Sequence, residues 1–153
     1  MIHLKTLDST RVVSIHDFMT GVKRSVRQHD EIITSIEFPI INGWQGYSKV
    51  GVRNAMVISV ASACLVADHE NANVRIALGS VGPTIIRCHE AESWLTSSQD
   101  LSAGQSISLD VANEFGRRAA GESSPIDDHR STAQYRRHAI SVLASRLLRK
   151  AYP

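Results

Sequence analysis

Asp127, Asp128, His129 and Arg130 form the densest run of groups able to move a proton or hold an ion in this 153-residue chain. A carboxylate beside an imidazole can orient it and tune it for acid-base work. Consecutive residues rarely point at one another, however, and this run leads into a helix, where carboxylates stabilise the unpaired amides and the positive end of the dipole. The structural role is therefore the preferred reading: the Asp pair caps neighbouring amides, and Arg130 with Tyr135 locks the last helix to a sheet. The seven histidines are scattered without ligand spacing, and no nucleophile has a base beside it. Cys64 and Cys88 form no metal motif and read as reduced, buried thiols. No catalytic residue and no metal site are expected.

The elements that carry these groups follow from periodicity. Ser131 followed by Gln134 fits a capping box. It opens a helix to about Ala151, with Ala133, Ile140, Leu143, Leu147 and Ala151 on one face and Arg136, Arg137, Arg146 and Arg149 largely off it. Ser108 is an N-cap for a helix that faces Ala112, Phe115 and Ala119 to the core and stops at Gly121. His89 to Ser97 has helical spacing as well.

In the first half, His3 to Leu7 alternates weakly as a strand. A short helix around Asp17, Phe18 and Met19 stops at Gly21, and Val22 to His29 is a basic loop. Ile32 to Phe38 is a β-branched strand closed by Pro39, and an extended segment runs from Tyr47 past Arg53. Ala55 to Ala67 is apolar enough for a central strand covered on both faces. It returns through the turn Asn71-Ala72-Asn73 into Val74 to Val81. Trp44, Tyr47 and Trp94 read as core or interface residues. Strands followed by helices predict an α+β fold, with a three- or four-stranded antiparallel sheet carrying helices on one face.

Composition excludes several classes. Hydrophobic residues at 42% and charged residues at 21% describe an ordinary globular chain of one-domain length. No apolar run reaches the roughly 20 residues needed to span a bilayer, and the polar N-terminus has no signal-peptide core, so a cytoplasmic location is the default. A net charge of +2 does not argue for nucleic acid. The basic residues gathered at Lys23 to Arg27 and Arg130 to Lys150 read as solvated faces. A basic-helix nucleic-acid binder would need steeply salt-dependent binding.

Four stretches, in order, resemble one family. They are Asp17-Phe18-Met19-Thr20-Gly21 with Asp30 to Pro39; Tyr47-Ser48-Lys49-Val50-Gly51-Val52-Arg53; Arg75 to Arg87, containing Gly79-Ser80-Val81-Gly82-Pro83; and Pro125-Ile126-Asp127-Asp128-His129-Arg130 running on to Tyr135-Arg136. Together they are similar to the C-terminal domain of the FAD-binding (medium) subunit of molybdenum hydroxylases, the family of carbon monoxide and xanthine dehydrogenases. The resemblance implies that residues 1–40 are the tail of an FAD-binding region and residues 41–153 the C-terminal domain.

The implied cofactor is FAD, with Ile33 as an apolar contact and Ser48 or Lys49 as a polar or cationic one beside the isoalloxazine. A cation there would favour the anionic reduced flavin. The family's glycine-rich pyrophosphate loops precede this region, and the nine glycines here form no such cluster. The implied partners are a molybdopterin-binding large subunit, a 2Fe-2S small subunit and, if separately encoded, the FAD-binding N-terminal region. Electrons would pass from molybdenum through the iron-sulfur centres to FAD. The chain alone is expected to be inactive. The alternative is an interaction module that keeps the fold without flavin.

Overall fold

Residues Met1–Ile41 and Asn42–Pro153 form two packing units in the computed structural model, which describes residues 1–54 and 57–153. In the first, β1 (Ile2–Lys5) lies between β2 (Thr10–Val13) and the later β5 (Ile32–Ile36), both antiparallel to it. Strand alternation turns Ile2 and Leu4 to one side, where they meet Phe18, with Val13 and Val26 partly buried around them. Phe18 ends α1 (Ile15–Phe18), whose cap is Ser14, accepting from the His16 amide.

A small hairpin, β3 (Met19–Gly21) with β4 (Arg24–Ser25), follows. It replaces part of the expected basic loop, because Lys23 adopts a left-handed turn conformation at φ 56°. The strand foreseen at Ile32 to Phe38 ends at Ile36. Glu31, itself buried, knits the unit by accepting from Arg11 Nε at 2.5 Å, Arg11 Nη2 at 2.9 Å and the Gln28 amide at 2.7 Å.

The second unit holds the four-stranded antiparallel sheet. Its order is β6 (Gly43–Val50), β7 (Ala61–Asp68), β8 (Asn73–Gly79) and β9 (Ile86–Arg87). The predicted central strand is β7, but it begins at Ala61; of the earlier residues assigned to it, Ala55 and Met56 lie outside the described ones. Nor is it covered along the whole of both faces. Ala61, Ala63, Leu65 and Ala67 are buried on the helix side; on the other side Ser62 and Asp68 are buried at the ends, with Cys64 exposed and Val66 half-buried between them. The small residues of this strand mimic a continuous apolar run while obeying period-two alternation.

Three helices close the covered face: α2 (His89–Ser98), α3 (Leu109–Gly121) and α4 (Ala133–Ala151). α4 packs on β6 and β7, α2 on β8 and on α3, and α3 on α4. The axes of α3 and α4 approach closely at Gly116, where an added Cβ would stand 2.2 Å from the Ser141 carbonyl oxygen. One core therefore runs from Leu65 and Ile76 through Phe115 to Ile140 and Leu148, and the predicted α+β arrangement with helices on one face is the one observed. Ser108 caps α3 as foreseen, accepting from the Val111 amide. The cap of α4 is Thr132, which accepts from Tyr135 N, one residue later than the capping box predicted, because Ser131 already donates its amide to Asp128. Among the described residues no helix is long and apolar enough to cross a membrane.

Candidate functional site

Strand register separates the two adjacent polar candidates. On β6, Ser48 stands opposite the buried Ala63 on the helix side, and Lys49 stands opposite Ser62 on the open side. Ser48 is half-buried and Lys49 exposed. Side chains one residue apart in a strand point to opposite faces, so the two cannot serve one ligand on the same face. Lys49 Nζ donates to the Val57 carbonyl at 2.9 Å, which gives the ammonium a fixed direction.

The row across the sheet from Lys49 continues through Ser62 to Gly79. A Cβ on Gly79 would come within 2.6 Å of Ser62 Oγ, so the two positions pack together, and Ser62 is itself buried at 6% exposed. Ile85 lies beside Gly79, its Cδ1 3.7 Å from the same position. The next row holds Tyr47, Cys64 and Ala77. Tyr47 is 61% exposed. Cys64, expected to be buried, is instead exposed on this face. Cys88 is the buried thiol, with Sγ pointing at the Ala119 carbonyl, and burial pushes its pKa up to about 12.

Ile33 belongs to the N-terminal unit, where it pairs with Leu4 on β5 and is 46% exposed. Arg53 is exposed and lines an open cleft of about 430 Å³ with Val57, Ile58, His129 and Arg130.

The acidic run before α4 forms no catalytic dyad. Asp127 Oδ1 accepts from the Ala133 amide at 2.5 Å. Asp128 Oδ1 accepts from the amides of Arg130 at 2.9 Å and Ser131 at 3.1 Å, and from Arg136 Nη2 at 2.7 Å. The Arg130 amide, with help from the Arg136 guanidinium, holds the Asp128 carboxyl below its ordinary range. Both carboxylates thus serve the turn, as the helix-start argument expected.

Arg130 and Tyr135 do not lock the helix, since both are exposed. Arg136 does: it is 5% exposed and its Nη1 donates to the carbonyls of Val60 at 3.1 Å and Ser80 at 2.7 Å. Its spacing carried the signal. Arg136 precedes Ile140 by four residues and Leu143 by seven, which puts it on the buried stripe rather than off it. The long aliphatic stem lets a charged residue occupy such a position when its head finds acceptors.

The donor set here fits one part of a flavin and not another. What it offers is a cation for a polar ring edge, the Lys49 ammonium fixed by the Val57 carbonyl, with the exposed Tyr47 two residues away on the same face. A pyrophosphate needs several amides converging at a glycine turn. Among the described residues the only glycine with positive φ is Gly104, alone in its loop. Nor does any group of three or more His, Cys, Asp or Glu among them have the arrangement to hold a metal ion.

Comparison with known proteins adds the following. The family model described as the CO dehydrogenase flavoprotein C-terminal domain matches residues 47–151. The glyceraldehyde dehydrogenase medium chain of Sulfolobus acidocaldarius is 26% identical over 150 residues, covering 96% of this chain and 51% of the relative. The xanthine dehydrogenase FAD-binding subunit of Escherichia coli O157:H7 is 25% identical over 147 residues, covering 92% and 48%. The nicotine 6-hydroxylase medium subunit of Paenarthrobacter nicotinovorans is 28% identical over 154 residues, covering 99% and 52%. The chain spans about half the length of the curated relatives it matches. Among solved structures, quinoline 2-oxidoreductase from Pseudomonas putida 86 shares the fold at a TM-score of 0.84 and 20% identity, over 98% of this chain and 51% of that one.

Proposed function

Because this chain belongs to the CO dehydrogenase flavoprotein C-terminal domain family, we propose that it is the C-terminal part of the FAD-binding medium subunit of a molybdenum hydroxylase. In that role it completes the flavin pocket and docks partner subunits, a molybdopterin-binding large chain and a 2Fe-2S small chain. Bound flavin would accept the electrons that those partners deliver. This chain's own residues orient and cover the ring. Lys49 sets a cation at its polar edge, and the half-buried Ser48 acts from the covered side of β6 as a support for the strand; the family resemblance separately assigns Ile33, in the N-terminal unit, an apolar contact with the flavin.

The observation that carries the reading is the exposed ammonium of Lys49, held by the Val57 carbonyl on the face of β6 away from the helices. The N-terminal unit leaves apolar side chains exposed on both faces of its sheet, Val12 and Ile32 on one and Ile36 on the other, positions that association with the remaining polypeptide of a medium subunit would cover.

Titrating the chain with FAD while following flavin fluorescence tests the division of labour. No saturation up to millimolar FAD, equivalent to less than about 4 kcal/mol, is the expected result, with the pocket completed only when the glycine-loop region is added. Micromolar binding by the chain alone would overturn it. An absence of binding even with that region supplied would favour an interaction module that has kept the fold without flavin.

A further inference from the structure

We propose that Arg136, held by Asp128, is the positioning residue for the Lys49 ammonium. The inference rests on the reading of Lys49 as the cation of the flavin edge, but its geometry stands on its own. Two connections are involved: residues 51–54 and 57–60, between β6 and β7, and residues 80–85, between β8 and β9. Arg136 reaches both from α4. A single nitrogen, Nη1, donates to Val60 O in the first loop and Ser80 O in the second, while Nη2 donates to Asp128.

Each loop then transmits that anchorage. The Val60 amide donates to Val50 O at 2.7 Å, closing the base of the first loop beside Lys49, and Val57 O within it accepts from Lys49 Nζ. In the second, Ser80 is held at φ 64°, a conformation that costs a non-glycine residue energy unless its surroundings impose it. Ser59 Oγ and Ser80 Oγ meet at 2.8 Å and join the two loops directly.

Only arginine suits this position. Its planar fork satisfies two carbonyls and a carboxylate at once, which a lysine's single nitrogen on a flexible stem does not reproduce. The buried guanidinium leaves its Nε without a partner among the described residues, and its charge is met by Asp128, itself oriented by two backbone amides. The signature run before α4 therefore has a task at the other end of its hydrogen bonds: Asp128 fixes Arg136, Arg136 fixes the loops, and the first loop presents the acceptor that aims Lys49.

Lys49 reactivity in the 153-residue chain, without flavin, tests this. Limiting amine acylation with peptide mass spectrometry compares Lys49 with Lys5, Lys23 and Lys150, and circular dichroism monitors the fold. In R136K and D128N the rate at Lys49 relative to the other three is expected to rise about threefold to tenfold, the change for losing one hydrogen bond to a charged, solvent-facing group. R136K should show the larger change, since it removes the fork that holds both loops, whereas D128N keeps an Oδ1 acceptor for the Arg130 and Ser131 amides and for Arg136 Nη2. An unchanged Lys49 rate in both variants, with helicity kept, would overturn the proposal. So would a uniform rise at all four lysines in both, because that is the signature of a purely structural residue. Failure of the FAD titration would leave this result standing, so the two readings fail separately.

Discussion

The two units of this protein reach order by different means. Residues 42–153 stack Leu65 and Ile76 of the sheet against Phe115, Ile140 and Leu148 of the helices, all of them 0% exposed. Residues 1–41 bury Ile2, Leu4 and Phe18 and leave Val12, Ile32, Ile33, Ile36 and Phe38 facing solvent. Roughly 40 residues are too few to bury enough apolar surface to offset their chain entropy. The larger unit is therefore stabilised by its own core. The smaller one relies on local polar ties, chiefly Arg11 with Glu31.

Truncating Phe115 to Ala should break the larger unit most severely, by about 3–5 kcal/mol in a denaturant melt followed at the helical band. Leu4→Ala, a buried truncation that costs about 2–5 kcal/mol where a core exists to register it, should act differently here. It should release the amides of β1, β2 and β5 in hydrogen exchange while the protection of β7 and α4 stays unchanged. Equal loss of protection in both units would show that they unfold as one and would dissolve the contrast.

A pH titration sharpens it further. Glu31, held by Arg11 and by the Gln28 amide, has its carboxyl lowered from 4.5 to about 2. A group lowered on folding contributes its full stabilisation above its unfolded pKa and loses it as pH falls toward the folded one. Exchange protection in the N-terminal unit should thus be constant above about pH 4.5 and decline from there toward about pH 2, and Glu31→Gln should flatten that decline. The smallest effect is expected for Ile33→Ser, within about 0.5 kcal/mol of wild type in the melt, since the side chain is already half in water.

Much of the fold was legible from local rules. Ser108 as a cap, the helical stripe Ile140-Leu143-Leu147 and the hairpin through Asn71-Ala72-Asn73 each depend on neighbours a few residues away, which a linear reading sees. The errors share a cause. Ala55 to Ala67 looked apolar on both faces because Ala and Cys do not declare a side. Arg136 looked solvated because charge was weighed above its place on the buried stripe. Cys64 looked buried because composition ranks the residue type and not the face it occupies.

The sequence by itself determined the α+β class, the cap of α3 and the family, through periodicity, a capping residue and four collinear motifs. Only the tertiary structure decided which of Ser48 and Lys49 faces the open side, because adjacent strand residues acquire a face only when helices cover one of the two. It alone also revealed what the run before α4 is for. Arg136 finds its acceptors 76 and 56 residues away in the chain, at Val60 and Ser80, and a charge becomes a core residue only when folding brings such distant partners to it.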